Sequence, residues 1–181
     1  MGAGKTTIGK ALARQLGIMF YDLDWYVENR MRKSIAQIFD ESGEDGFREI
    51  EHNMLHEVAE FEDIVLSCGG GTPCFFDNMD YLNLQSETVY LKATPEVLYA
   101  HLKMGKSVRP LLLNKTPEEV EAFVKQQLQQ REPYYSKAKH VLDVNVLDSR
   151  DKVRVSVRKI RRMLKCCPPG DTTEAGGLQK S

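Results

Sequence analysis

Apolar residues recur along this chain in two rhythms. Ile8, Ala11, Leu12 and Leu16 fall at spacings of three and four, and Gly17 follows as a stop, which predicts an amphipathic helix. Ile18-Met19-Phe20-Tyr21 is then a short unbroken apolar run ending at Asp22, the pattern of a buried parallel strand. A longer polar stretch carries a second helical stripe at Phe47, Ile50, Met54 and Val58. Ile64-Val65-Leu66, Thr88-Val89-Tyr90-Leu91 and His140-Val141-Leu142-Asp143 predict three further strands. Thr94-Pro95 and Thr116-Pro117-Glu118-Glu119 put a capping hydroxyl and a proline at helix starts, the second helix running to about Tyr134. Val153, Val157, Ile160 and Leu164 stripe a last helix.

Strands separated by helices imply an α/β fold, a parallel sheet flanked by helices with right-handed crossovers. Residues 104–115 hold Gly105, Pro110 and several cations and read as a loop. Past Lys165 the chain turns to Cys166-Cys167-Pro168-Pro169-Gly170 and a polar, glycine-containing end, so residues 166–181 read as a disordered tail. A chain of 181 residues then amounts to one domain, residues 1–165.

Composition narrows the partners. The chain is 41% apolar and 28% charged, which is ordinary for a globular domain. Its net charge of −1 gives no global basic field, so nucleic acid is not expected as a partner. Arg150, Arg154, Arg158, Lys159, Arg161, Arg162 and Lys165 read as the solvated face of the last helix, with nucleic-acid contact as the competing use. No apolar run approaches the ~20 residues of a membrane span, and no secretory pattern opens the chain. Cys68, Cys74, Cys166 and Cys167 match no zinc spacing. They read as free thiols of a reducing, cytoplasmic setting.

The strongest chemical signal opens the chain. Gly2-Ala3-Gly4-Lys5-Thr6 is the end of the pattern G-x-x-x-x-G-K-[ST], in which backbone N–H groups cradle phosphates. The lysine reaches the β and γ oxygens, and the hydroxyl can ligate magnesium. Met1 and Gly2 with Thr6 also fit an N-myristoylation pattern, a weaker use of the same residues. The pattern's first glycine, and the strand that should precede it, do not appear in the sequence given. Asp22 and Asp24 follow the first strand, where carboxylates of a parallel sheet meet the ligand crevice. A solvated helix cap is the alternative there. Arg48, Arg109 and Arg131 could each grip a carboxylate or phosphate with two parallel hydrogen bonds, or could simply be surface residues. Gly69-Gly70-Gly71 after a strand allows close approach to a ligand, or a plain turn.

In order, Gly2 to Thr7, Asp22 to Asp24, Phe47 to Glu51, Gly69 to Gly71, Arg109 to Leu111 and Arg131 to Tyr135 make a set that resembles shikimate kinase. The resemblance covers residues 1–165. It implies a nucleoside-monophosphate-kinase type of P-loop fold whose first, central strand is missing here. It implies transfer of phosphate from ATP to shikimate, giving shikimate 3-phosphate for aromatic amino-acid synthesis. By the same resemblance Gly2, Ala3, Gly4, Lys5, Thr6 and Thr7 hold ATP, and Thr6 and Asp22 attend Mg2+. Asp24 holds the shikimate hydroxyls and acts as base. Arg48 and Arg131 grip the carboxylate beside Gly70 and Gly71. Arg109 swings in with a lid at residues 104–115, over substrate-binding helices at about residues 24–60. The stretch from Asp143 to Asn145 borders adenine, while Lys103 and Lys106 stand where the family has an arginine. The enzyme so implied is a cytoplasmic monomer. A gluconate-type kinase and a non-catalytic remnant with an incomplete phosphate loop are the alternatives. With the kinase reading goes the expectation that the sequence begins too late and that the chain as it stands is unstable or inactive.

Overall fold

The computed structural model describes residues 2–104, 116–144 and 150–165. Of the expected lid at residues 104–115 only the backbone of Met104 is described, and it is helical; Arg109 and Lys106, the side chain of Lys103, Asn145 and the expected tail at residues 166–181 lie outside the residues and side chains described.

Helix α1 (Lys5–Leu16) ends where the apolar stripe ends, with Gly17 taking a left-handed conformation at φ 73° and closing the last turn onto Ala13. Strand β1 (Met19–Asp22) follows, then α2 (Leu23–Met31). Helix α3 (Ile35–Ala59) opens on a reciprocal cap between Ser34 and Gln37 and breaks helical geometry at Gly43. Strand β2 (Ile64–Ser67) leads into the glycine triplet and a short 3-10 turn at Thr72–Cys74. Helix α4 (Asn78–Gln85) comes next, an element the apolar pattern does not announce. Only Met79 and Leu82 of its apolar residues are buried, and Leu84 points to solvent, so no stripe marks it. Strand β3 (Val89–Lys92), α5 (Pro95–Met104), α6 (Pro117–Tyr135), β4 (His140–Asp143) and α7 (Arg150–Met163) complete the order. Thr116 caps α6 reciprocally with Glu119, as its sequence anticipates.

The strands form two parallel pairs. In one, Met19 lies opposite Ile64 and Asp22 opposite Ser67; in the other, Val89 lies opposite His140 and Lys92 opposite Asp143. Among the described residues no ladder joins β2 to β3, in keeping with a sheet whose central strand is not among the four. The expectation of a buried first strand is not met: Met19 is 63% exposed, and Phe20, Tyr21 and Asp22 are only partly buried. Two apolar cores result. One gathers Ile8, Leu12, Leu98, Val124, Val157 and Ile160 from the helices around both pairs. The other packs Leu23, Val27, Ile38, Phe47 and Leu55 between α2 and α3. The stripe on α7 is confirmed by Val157 and Ile160, which are buried. Because β1 and β2 run parallel, Asp22 and the glycine triplet emerge at the same edge, beside the start of α1. No described helix is long and apolar enough to cross a membrane.

Candidate active site

The loop before α1 is built for an anion. Gly2 and Gly4 have φ of 70° and 76°, a left-handed backbone that glycine adopts at no steric cost. Gly4 is the cap of α1, and no side chain fills the cap, so the first N–H groups keep their outward aim. No acidic residue lies in that first turn to compete with a ligand. Ala3 is buried, and the carbonyl of Gly2 accepts a hydrogen bond from Nδ1 of His101 at 2.8 Å, which ties the loop to α5. Lys5 sits close enough to Asp24 and Cys68 to favour their ionised forms. Thr7 is exposed.

Thr6 and Asp22 meet directly: the Thr6 hydroxyl donates to Oδ2 of Asp22 at 3.2 Å. A hydroxyl and a carboxylate oxygen side by side at a helix start are the hard donors magnesium prefers, so these two residues fit that ion.

Asp24, in the first turn of α2, is the electrostatic centre of the site. Asp24 keeps an exposed face, but the protein packed around its carboxyl takes it partly out of water and pushes it above the ordinary 3.8; Asp22 and Glu51 add to the rise, and Lys5 opposes it. Gly69 closes over the group. A methyl at Gly69 would stand 3.1 Å from Asp24 Oδ1, 3.1 Å from Thr72 Oγ1 and 3.3 Å from Glu51 Oε1. Cys68 beside it is half-buried, and its thiol is pushed up to about 12 by burial, so it stays protonated.

Glu51 is 2% exposed and holds the next residue in place. Its Oε2 accepts from Nη1 of Arg48 at 2.7 Å, and its Oε1 accepts from the Thr72 hydroxyl at 2.5 Å. Arg48 also donates to Glu44 at 3.2 Å and stacks over Phe75, 4.2 Å from the ring centre. Its Nε is buried and has no hydrogen-bond partner among the described residues. Gly71 lies hard against this guanidinium. Across the crevice, the Tyr135 hydroxyl donates to the carbonyl of Gly70 at 2.5 Å. Arg131 is hydrogen-bonded beside that phenol. Arg131 and Arg48 both act on the Cys74 thiol, which burial nonetheless raises, so the two arginines converge on the turn after the glycines. Of the sequence-predicted residues, the structure brings Lys5, Thr6, Asp22, Asp24, Arg48, Gly70, Gly71 and Arg131 to one edge of the molecule; Arg109 lies outside the described residues.

The family model for shikimate kinase matches residues 1–165. A shikimate kinase of Phocaeicola vulgatus is 54% identical over 164 residues, which cover 91% of this chain and 94% of the relative. The crystal structure of shikimate kinase from Bacteroides thetaiotaomicron superposes with a TM-score of 0.89 at 47% identity, covering 91% of this chain and 94% of that one. Shikimate kinase from Acinetobacter baumannii, solved in complex with shikimate, superposes with a TM-score of 0.78 at 31% identity, covering 91% and 89%.

The chain belongs to the shikimate kinase family. Within this family member, four residues at the site were given no task by sequence reasoning. Glu51 and Tyr135 close the motifs that carry Arg48 and Arg131, but a lone glutamate on a helix reads as solvated. Thr72 and His101 carry no signal, because their partners lie 21 and 99 residues away.

Proposed function

We propose that this chain catalyses ATP-dependent phosphorylation of shikimate to shikimate 3-phosphate. The observation that carries the reading is a phosphate loop whose Lys5 acts on Asp24, together with a pair of arginines that converge on the turn after the glycines, in a chain that belongs to the shikimate kinase family. Lys5 and the N–H groups at the start of α1 hold the β and γ phosphates, lined by Gly2, Ala3, Gly4 and Thr7. Thr6 and Asp22 would hold Mg2+, which when bound supplies positive charge to the phosphate oxygens. Arg48 and Arg131 grip the substrate carboxylate, and the unpartnered Nε of Arg48 is a donor such a ligand can use. Gly70 and Gly71 let the substrate approach the backbone there. Asp24 accepts a hydrogen bond from the attacking hydroxyl and takes its proton. Its raised pKa brings it nearer the working pH, where a general base is most effective. Arg109, in the expected lid, adds charge at the transferring group and helps exclude water.

The family match over residues 1–165 favours this reading over a gluconate-type kinase. A coupled assay of ADP release tests it with shikimate, gluconate and nucleoside monophosphates offered separately. Turnover is expected with shikimate; turnover with gluconate or a nucleotide at a comparable kcat/KM would replace the assignment.

A further inference from the structure

A second cluster lies on residues that the proposed reaction does not use. His52 and His56 are one helical turn apart on α3, with ring centres 4.3 Å apart. Asp77 joins them from the start of α4, and one ligand atom of each residue lies within 4.8 Å of the others. We propose that His52, His56 and Asp77 form a binding site for a single divalent transition-metal ion of the zinc class.

Hydrogen bonding already prepares the two imidazoles. The side-chain N–H of Asn78 donates to the carbonyl of Thr72 at 2.8 Å, which fixes the Asn78 oxygen as the end facing His52. That oxygen lies 2.6 Å from Nδ1 of His52, so Nδ1 carries the proton and donates, and Nε2 keeps its lone pair. A histidine oriented by a hydrogen bond through its other nitrogen is the usual form of a metal ligand. His56 stacks on Tyr81 at 3.7 Å between ring centres, which fixes the plane of its ring. Its Nε2 is buried and has no hydrogen-bond partner among the described residues. A buried nitrogen without a partner is costly, and a metal bond relieves that cost. Asp77 is exposed, and although it stands at the cap position of α4 its carboxylate caps nothing. It is free to turn inward.

Two imidazoles and one carboxylate suit zinc, nickel or copper, whereas magnesium prefers an all-oxygen shell. Bonds of about 2.0–2.2 Å put tetrahedral ligand atoms roughly 3.3–3.5 Å apart, so binding draws the triangle closed, chiefly by rotation of Asp77. A water completes the shell. The consequence reaches beyond the ion. His52 leads through Asn78, Thr72 and Glu51 to Arg48 in an unbroken chain of hydrogen bonds. Occupancy therefore locks the far end of the network that holds Arg48.

Zn2+ titration of the full chain by calorimetry, in buffer with excess Mg2+, tests the site. One Zn2+ per chain is expected. Outer-sphere changes at metal sites already cost about 10–100-fold in affinity, so Asp77→Asn and His56→Gln should each weaken binding by roughly tenfold or more. Asp77→Asn touches an exposed side chain, and an unchanged metal-free melt keeps it informative if His56→Gln fails to fold. Co2+ in place of Zn2+ should give the intense visible bands of a tetrahedral ion. Absence of Zn2+ binding, equal affinity in the Asp77 variant, or a sulfur-to-cobalt charge-transfer band placing the ion on cysteines would each overturn the proposal.

Discussion

Replacing Gly71 by alanine presses directly on Arg48, at a glycine that also borders the proposed substrate carboxylate. Gly71 has φ −86° and ψ −32°, which alanine adopts without strain. The new methyl would nevertheless stand 2.6 Å from Nη2, 2.8 Å from Nη1 and 2.9 Å from Cζ of Arg48. Ordinary contact begins near 3.4 Å, so the guanidinium must retreat by about 0.8 Å. An exposed arginine would do so at little cost. This side chain is only 11% exposed, is bonded to Glu51 and Glu44, and lies against Phe75. Retreat costs at least one charge-assisted hydrogen bond in the loaded site, about 1.5–3 kcal/mol. At 1.4 kcal/mol per tenfold, that is a rise of roughly 10- to 150-fold in the KM for shikimate. The KM for ATP should change by less than about twofold, since the phosphate loop is untouched. Steady-state ADP release, with each substrate varied in turn, reads both numbers. A folded variant with wild-type KM for shikimate would refute the reasoning, as would an equal rise for both substrates.

Arg131→Lys keeps the charge but loses the two-pronged grip, so titration should show shikimate affinity falling far more than ATP affinity; equal losses would sink the pairing. Asp24→Asn should lower turnover by roughly 10²-fold, the usual range for loss of a general base, and near-normal turnover would reduce Asp24 to a contact. The same variant should melt higher than wild type at neutral pH. The folded Asp24 has a raised pKa, so stability is fully present below 3.8 and is lost as pH rises through the higher folded value. Asparagine escapes that loss, so the gain should vanish below pH 3.8, and a gain independent of pH would contradict the cause. Gly17→Ala meets no neighbouring atom but forces a side chain to φ 73°, so it should cost about 1–2 kcal/mol of stability in a denaturant melt with both KM values unchanged. A wild-type melt would show that the turn relaxes freely.

What the sequence made legible follows from how local each signal is. Helices α1, α6 and α7 could be placed because stripe, cap and stop lie within one stretch of chain, as with Thr116, Glu119 and Gly17. Strand positions were legible from short apolar runs, but their pairing was not, since Asp22 meets Ser67 only after two intervening helices. Helix α4 escaped because its few apolar residues form no stripe. At the site, Lys5, Asp22 and Asp24 stood out because glycines and strand ends mark them. The support was hidden: Glu51 reads as one more helix carboxylate until burial and its bonds to Arg48 and Thr72 are known. His52 and His56 had helical spacing, but their third partner, Asp77, comes from a separate element.

The central claim is that the γ-phosphoryl group passes from ATP to shikimate at Asp24. Transfer of label from γ-32P-ATP, with products separated by chromatography, tests it most directly. The account predicts label in shikimate 3-phosphate with the wild-type chain. It also predicts that Asp24→Asn loses this transfer while still binding ATP. Label appearing only as inorganic phosphate, or undiminished transfer by the Asp24 variant, would contradict it.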